Sequence, residues 1–231
     1  MTIVSIPFVG FLFAIFARFL GKRIASSLSI ISIAIALLLS LVMLKNVYID
    51  NITFRYEFSW LHLNLLELNF TFLFDPLSSL MSVLVTFITL LVMIYSYGYL
   101  NSDPSLVRFL SYLSFFCFAM LLMVTAGNYV QFFIGWETVG LASYLLISYW
   151  TTRNEANQGG LKAVVINRIG DVFFMFALAL LWTMFKSFDF GVVFNSIPSL
   201  IDSEMTVSIL GKQISLVSLL GFSLFVAAVA K

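Results

Sequence analysis

Five ionisable residues lie within otherwise apolar stretches and are the residues that could do chemistry: Glu137, Lys162, Arg168, Asp171 and Lys231. A charge inside a membrane helix costs at least about 2.5–3.5 kcal/mol unless it pairs or meets water. Glu137 lies near the middle of the run FFIGWETVGLASYLLISYW. Its default function at that depth is proton relay, and the alternative is a protonated or hydrogen-bonded side chain that joins two helices.

Three of these charges share the segment GGLKAVVINRIGDVFFMFALAL. On a helix, Arg168 and Asp171 stand about 60° apart and roughly 4.5 Å along the axis, so the spacing predicts a pair. That pair either serves proton transfer or only neutralises itself for insertion. Lys162 lies about 180° from Asp171, so it cannot be its intrahelical partner; it either snorkels or faces another helix.

Lys231 directly follows the apolar run LLGFSLFVAAVA. A charge at that depth needs a partner or water, which predicts a helix that breaks beside a polar cavity. A split protein, of which this chain is one piece, and a truncated sequence are the other interpretations.

The elements that position these charges are membrane helices. The 231 residues are 61% hydrophobic and 10% charged, with a mean hydropathy of +1.06, whereas soluble domains are roughly 45–50% apolar and about 25% charged. A crossing takes about 20 apolar residues. Seven stretches qualify, which predicts an all-α polytopic bundle of about seven transmembrane helices: 3–20, 25–44, 75–96, 107–126, 129–150, 160–184 and 213–231.

Two connections are long. Residues 58–65 within the connection 45–74 partly alternate apolar with polar, which predicts a short hairpin at the membrane surface. The stretch 186–212 is predicted to be a second extramembrane loop, and Asp75-Pro76 a helix start. Lys22 and Arg23 in a short loop place the amino terminus on the outer side.

Composition excludes several classes of function. A net charge of +1 makes nucleic acid an unlikely partner. No Gly-rich phosphate loop or cysteine cluster is present, so we expect no flavin, iron–sulfur cluster or nicotinamide in this chain. A lone histidine, His62, predicts no metal site. The apolar stretch from Ile3 to Phe16 predicts a protein made without a transit-peptide leader, and the 26 phenylalanines favour an organelle gene.

Four segments resemble the antiporter-like membrane subunits of respiratory NADH:ubiquinone oxidoreductase (complex I), in their chain 5 branch: FDPLSSLM at 74–81, GWETVGLASYLLISYW at 135–150, TTRNEANQGGLKAVVINRIGD at 151–171, and the terminal AAVAK. The resemblance implies that Glu137 is the family's glutamate on the fifth helix and Lys231 the lysine of a discontinuous seventh helix, and that the two interact. It implies that Lys162, Arg168 and Asp171 support proton pumping from the sixth helix.

The resemblance also implies two parts: amino-terminal helices with a surface loop over 1–106, and an incomplete first antiporter-like repeat over 107–231. The implied function is proton translocation in the membrane arm, with flavin and iron–sulfur clusters in other subunits. Implied partners are other membrane-arm subunits, a second chain completing the subunit, and lipid, in the mitochondrial inner membrane. A plastid thylakoid or bacterial inner membrane, a cation/proton antiporter subunit and a non-pumping membrane scaffold are the alternatives.

Overall fold

The computed structural model describes residues 1–16, 19, 21–63, 66–202, 206–209 and 212–231. Within these ranges the chain is a helical bundle with two small antiparallel hairpins. The elements are α1 (Thr2–Phe16), α2 (Lys22–Ile49), β1 (Phe54–Leu63), β2 (Leu66–Phe74), α3 (Pro76–Tyr99), α4 (Leu106–Val124), α5 (Tyr129–Ile147), α6 (Asn154–Phe185), α7 (Phe190–Asp202), β3 (Thr206–Ile209), β4 (Lys212–Ser215) and α8 (Leu216–Ala230).

Five of the described helices, α2 to α6, are long and apolar enough to cross a membrane. The other two predicted membrane helices, α1 and α8, are apolar but contain 15 residues each, which corresponds to about 22 Å at 1.5 Å per residue. The predicted class, an all-α multi-pass membrane bundle, is therefore confirmed. The predicted extension of the first helix to residue 20 falls partly outside the described residues.

Successive helices run back and forth, so alternate connections meet at the same end of the bundle. The Lys22 ammonium donates hydrogen bonds to the carbonyls of Asn101 and, at 2.8 Å, Asp103. Arg108 Nη2 donates to the carbonyl of Tyr149 at 3.0 Å. These bonds tie together the connections that follow α1, α3 and α5.

The predicted hairpin is confirmed and is longer than expected. β1 and β2 pair antiparallel from Phe54↔Phe74 to Leu63↔Leu66, with an irregularity between Ser59 and Leu61. Asp75-Pro76 then starts α3 as predicted, because Asp75 Oδ1 accepts from the Ser78 amide at 2.7 Å and Ser78 Oγ accepts from the Asp75 amide at 2.8 Å.

The hairpin is fixed to the rest of the bundle by a polar assembly that we call the hairpin joint, formed by segments 69–73, 125–131 and 188–190. The Gly127 amide donates to the Thr71 carbonyl at 2.7 Å, and the Thr71 amide donates to the buried side chain of Gln131 at 2.8 Å. The Tyr129 amide donates to the Phe188 carbonyl at 2.9 Å. Three connections distant in sequence are thereby held together at the start of α5.

The stretch 186–212 is not the loop that its Gly191 and Pro198 predict. It contains α7, β3 and the beginning of β4, and α8 starts at Leu216 rather than 213. The Asp189 carboxylate caps α7 by accepting from the Gly191 amide at 2.8 Å. The apolar face of α7 buries Val193 and places Phe190 against Tyr129, with ring centroids 4.5 Å apart, so tertiary packing outweighs the weak local propensity.

Two glycines allow helices to approach closely around the predicted charges. A Cβ atom added at Gly135 would lie 2.7 Å from Met123 Cα, so α4 and α5 touch at the backbone. A Cβ atom at Gly170 would lie 2.8 Å from Ala230 Cβ and 3.1 Å from the Ala227 carbonyl oxygen. The end of α8, which carries Lys231, is therefore pressed against α6.

Candidate functional site

α5 and α6 bring Glu137, Arg168 and Asp171 together in the interior of the predicted membrane spans. Arg168 Nη1 lies 3.0 Å from Glu137 Oε1 and 3.9 Å from Asp171 Oδ2. The predicted pairing of Arg168 with Asp171 is therefore present, but the shorter contact of Arg168 is with Glu137. The Asp171 side chain is 4% exposed, Glu137 31% and Arg168 63%, so the cluster runs from a buried acid to a guanidinium at the flank of α6.

Lys231 reaches the same cluster from α8. Its ammonium donates to the Trp136 carbonyl at 2.8 Å and lies 4.8 Å from the centroid of the Trp136 ring. The Trp136 indole N–H in turn donates to Asp171 Oδ1 at 3.0 Å. Trp136 therefore contacts both a base from α8 and an acid from α6.

A cavity of about 90 Å³ lies among these side chains and is lined by Glu137, Arg168, Asp171 and Lys231, together with Gly140, Asn167 and Tyr144. One water molecule occupies about 30 Å³ in the liquid. The cavity is thus large enough for a few water molecules, and its lining offers them both donors and acceptors.

Four of the five predicted site residues meet here. Lys162 does not, because it is exposed on α6, six residues before Arg168, which is about 9 Å along the helix. The expected interaction of Lys231 with Glu137 takes an indirect form. Within the described part of the chain the two side chains line one cavity but form no ion pair, and Glu137 pairs with Arg168 instead.

A larger cavity of about 630 Å³ lies beside the hairpin joint. Its walls are mainly apolar side chains of α3, α4, α5 and α7, with Arg55 and Asp75 in the lining. It contains none of the predicted site residues. We place the candidate site in the smaller cavity because acidic and basic side chains of α5, α6 and the end of α8 converge there, with Asp171 buried among them.

Trp136, Gly140 and Asn167 belong to the site but were missed in the sequence. An indole N–H in an apolar helix needs an acceptor, but the sequence does not identify Asp171 as that acceptor, since the nearest acid in sequence is Glu137. Gly140 follows Trp136 by one helical turn and so lies on the same face. The partner acid and base come from α6 and α8, which no local pattern could reveal.

The arrangement suits movement of protons rather than bond chemistry. Two acids and two bases surround a cavity with room for water, and each acid has a basic or indole N–H neighbour that stabilises its charge. A change in any one charge alters the electrostatic free energy of the others, because the charges lie a few ångströms apart and are weakly screened. Among the residues that the structure describes, no three His, Cys, Asp or Glu side chains converge to hold a metal ion.

Comparison with known families identifies two matching segments. Residues 60–110 match the model described as "NADH-Ubiquinone oxidoreductase (complex I), chain 5 N-terminus". Residues 126–231, which include all of the predicted charges, match "NADH:quinone oxidoreductase/Mrp antiporter, TM". The two matches follow the order of the segments that carry the resemblance in the sequence.

Relatives support the same assignment. The chain is 45% identical over 222 residues to NADH-ubiquinone oxidoreductase chain 5 of Acanthamoeba castellanii, covering 96% of this chain and 33% of that protein. It is 41% identical over 203 residues to the chloroplastic NAD(P)H-quinone oxidoreductase subunit 5 of Ipomoea purpurea, covering 84% and 28%. The chain therefore spans about a third of the length of the relatives it matches.

The fold itself is shared with a solved structure of the Mrp complex from Dietzia sp., with a TM-score of 0.75, 19% identity, and coverage of all of this chain and 24% of that one. The helices and their buried charges define a multi-pass membrane protein with the antiporter-like fold. The chain belongs to the antiporter-like family of membrane subunits, and its sequence is similar to the amino-terminal part of complex I chain 5.

Proposed function

We propose that this chain is part of a proton-translocating subunit in the membrane arm of respiratory NADH:ubiquinone oxidoreductase. The observation that carries the proposal is the cavity at which Glu137, Arg168, Asp171 and Lys231 meet. Electron transfer from NADH to ubiquinone takes place in other subunits, which hold the flavin and iron–sulfur clusters. This chain contributes to proton movement.

In the proposed mechanism Lys231 holds or passes the proton. Its ammonium is stabilised by the carboxylates that share the cavity, and Arg168 competes for those carboxylates. When Arg168 draws Glu137 away from Lys231, the ammonium loses part of its electrostatic stabilisation and releases its proton to the cavity. When the carboxylate returns, a proton is taken up.

Replacement of Glu137 tests the proposal. Glu137→Gln removes the charge and keeps the shape, so Arg168 loses its closest acid and Lys231 loses an acid that shares its cavity. We expect fewer protons moved per NADH oxidised in sealed vesicles that contain the assembled complex, measured by proton uptake and NADH absorbance in the same sample. Unchanged stoichiometry would contradict the proposal.

The matched control is Glu155→Gln. Glu155 lies in the first turn of α6 and is exposed, so the same chemical change is made away from the cavity. Its stoichiometry should equal that of the unmodified complex.

The second candidate is a subunit of a cation/proton antiporter, because the match over residues 126–231 and the shared fold both extend to Mrp proteins. An antiporter would exchange sodium for protons without NADH. Sodium-dependent proton movement in vesicles that lack any NADH-oxidising activity would favour it over the complex I assignment.

The proposed membrane is the mitochondrial inner membrane, as inferred from the phenylalanine-rich composition and the relative from Acanthamoeba castellanii. The chloroplastic relative at 41% identity makes the thylakoid the alternative. Fractionation of the organelles, followed by a test of NADH as electron donor, separates the two. The proposed partners are the other membrane-arm subunits and lipid, which would cover the apolar flank of α6 around Val165 and Ile169, each more than half exposed.

A further inference from the structure

Trp136 contacts the charge cluster with three separate parts of one residue. The indole N–H binds Asp171, the ring lies beside the Lys231 ammonium, and the backbone carbonyl accepts from that ammonium. We propose that Trp136 is a positioning residue that holds Lys231 and Asp171 in place for proton transfer; the proposal rests on the function proposed above. No pattern in the sequence assigns it this role.

The groups that contact the Lys231 ammonium at Trp136 are uncharged. Trp is the strongest of the aromatic partners in cation–π contacts, and the Trp136 carbonyl is a backbone acceptor within α5. A lysine held by a ring and a carbonyl remains free of a fixed ion pair, whose rupture inside a protein is strongly unfavourable. The ammonium can therefore leave or lose its proton more readily than it could from a direct pair with Glu137 or Asp171.

Gly140 completes this binding place. A Cβ atom added there would lie 3.0 Å from Lys231 Nζ and 3.6 Å from Asn167 Nδ2. Gly140 lies one turn after Trp136 on the same face of α5. The absence of a side chain at this position gives the ammonium room to approach the Trp136 carbonyl.

The indole is itself held in a fixed orientation. The Phe174 ring of α6 lies with its centroid 5.7 Å from that of Trp136, and the Phe132 ring of α5 lies 6.1 Å away. These contacts leave the N–H edge toward Asp171 and the ring toward Lys231. The same side chain therefore links the positions of an acid on α6 and a base on α8.

The test uses the complete complex and two readouts. The first is protons moved per NADH oxidised. The second is the rate at which a small membrane-permeant acylating reagent labels the Lys231 amine, measured by peptide mass spectrometry. Only the neutral amine reacts, so loss of a contact that stabilises the ammonium accelerates labelling.

Trp136→Leu removes the ring and the N–H but keeps the backbone carbonyl. We expect labelling of Lys231 to rise about two- to thirtyfold, the range that corresponds to a cation–π contact, and the proton stoichiometry to fall. Trp136→Phe retains a ring and should give a smaller rise. Gly140→Ala displaces the ammonium without touching the indole and should also accelerate labelling.

Trp182→Leu is the control. Trp182 also has a phenylalanine ring beside it, that of Phe188, and a lysine 5.7 Å from its ring centroid, but that lysine is Lys186, which does not line the charged cavity. Its replacement should change neither readout. Native gels report the amount of assembled complex for each variant, so every rate is expressed per assembled complex.

A double-variant cycle separates positioning from general packing. If Trp136 acts through Lys231, then Trp136→Leu should lower the proton stoichiometry no further once Lys231→Met is present. Additive losses, or equal labelling rates in Trp136→Leu and the unmodified chain, would overturn the positioning role. Unchanged stoichiometry in Lys231→Met would instead contradict the proposed function, while the labelling rates would still decide whether Trp136 holds the ammonium.

Discussion

The hairpin joint and the charge cluster share helix α5 but are held by different kinds of contact. At the joint, neutral backbone groups of three connections pair with one another, and the buried Gln131 accepts the Thr71 amide. In the cluster, four ionisable side chains line one cavity, and two of them, Asp171 and Lys231, contact Trp136. The comparison shows a helix whose first turns are fixed by uncharged hydrogen bonds, while its middle carries one acid, Glu137, that lies beside charged side chains of α6 and α8.

The largest expected effect is at Gly135, which lies between the two regions. Gly135→Ala places a Cβ atom 2.7 Å from Met123 Cα, and the contacted atom is backbone, so α4 and α5 must separate. We expect the free energy of unfolding to fall by about 3 kcal/mol, read as a lower thermal unfolding midpoint of the solubilised complex. Gly98→Ala is the control, since nothing lies within 4 Å of its added Cβ.

An unchanged midpoint in Gly135→Ala would show that the two helices can separate without cost. The close packing of α4 on α5 would then not be what fixes the position of Glu137.

The next effect is at Gln131, within the joint. Gln131→Leu leaves the buried Thr71 amide without its acceptor, which costs about 1–3 kcal/mol. The midpoint of thermal unfolding should fall, and hydrogen exchange at Thr71 should accelerate. If exchange at Thr71 stays slow, another acceptor serves the amide and the side chain is not what joins β2 to α5.

Glu137 lies six residues further along α5. In contrast to Gln131→Leu, Glu137→Gln should impair function more than it lowers stability. Arg168 keeps Asp171 at 3.9 Å, and replacement of one member of an ionic cluster by a neutral group of similar shape lowers the number of charges that must be desolvated. Because Asp171 still lies beside Arg168, we expect the free energy of unfolding to fall by less than it does in Gln131→Leu, although proton translocation falls. A loss of stability as large as that of Gln131→Leu would remove the contrast between the two regions.

The smallest effect is at Arg55, whose side chain is 44% exposed and pairs with Glu57 and Asp189. Burial lowers the pKa of Arg55, but the hydrogen bonds and charges of Asp189 and Glu57 outweigh burial, so its pKa lies above the ordinary value. Exposed ion pairs contribute about 0–1 kcal/mol. Arg55→Gln should therefore shift the unfolding midpoint slightly, and less in high salt because salt screens the pair.

A salt-independent shift for Arg55→Gln would mean that packing of its side chain, rather than charge, joins the hairpin to the start of α7.

The sequence predicted the features that depend on local composition. Apolar runs gave the helices, Asp75-Pro76 gave the start of α3, and the alternation around residue 58 gave the hairpin. The helix α7 was missed because Gly191 and Pro198 weaken its local propensity, whereas its formation depends on packing against α5. Charges buried in helices identified four residues of the site, but their partners required the fold: Arg168 contacts Glu137 across two helices, and Lys231 contacts Trp136 rather than a carboxylate.

The contact between Gly170 and Ala230 has a consequence for how far the Lys231 ammonium can move in the proton transfer proposed for it. Because Ala230 packs closely against Gly170, a side chain at position 170 or a shift of α8 along α6 would disturb the main chain beside Lys231. The distance over which the Lys231 ammonium can move is then set by the four-carbon stem of the lysine side chain. Side-chain rotation alone can carry the ammonium between the indole and the carboxylates, on the timescale of rotamer exchange rather than of helix movement.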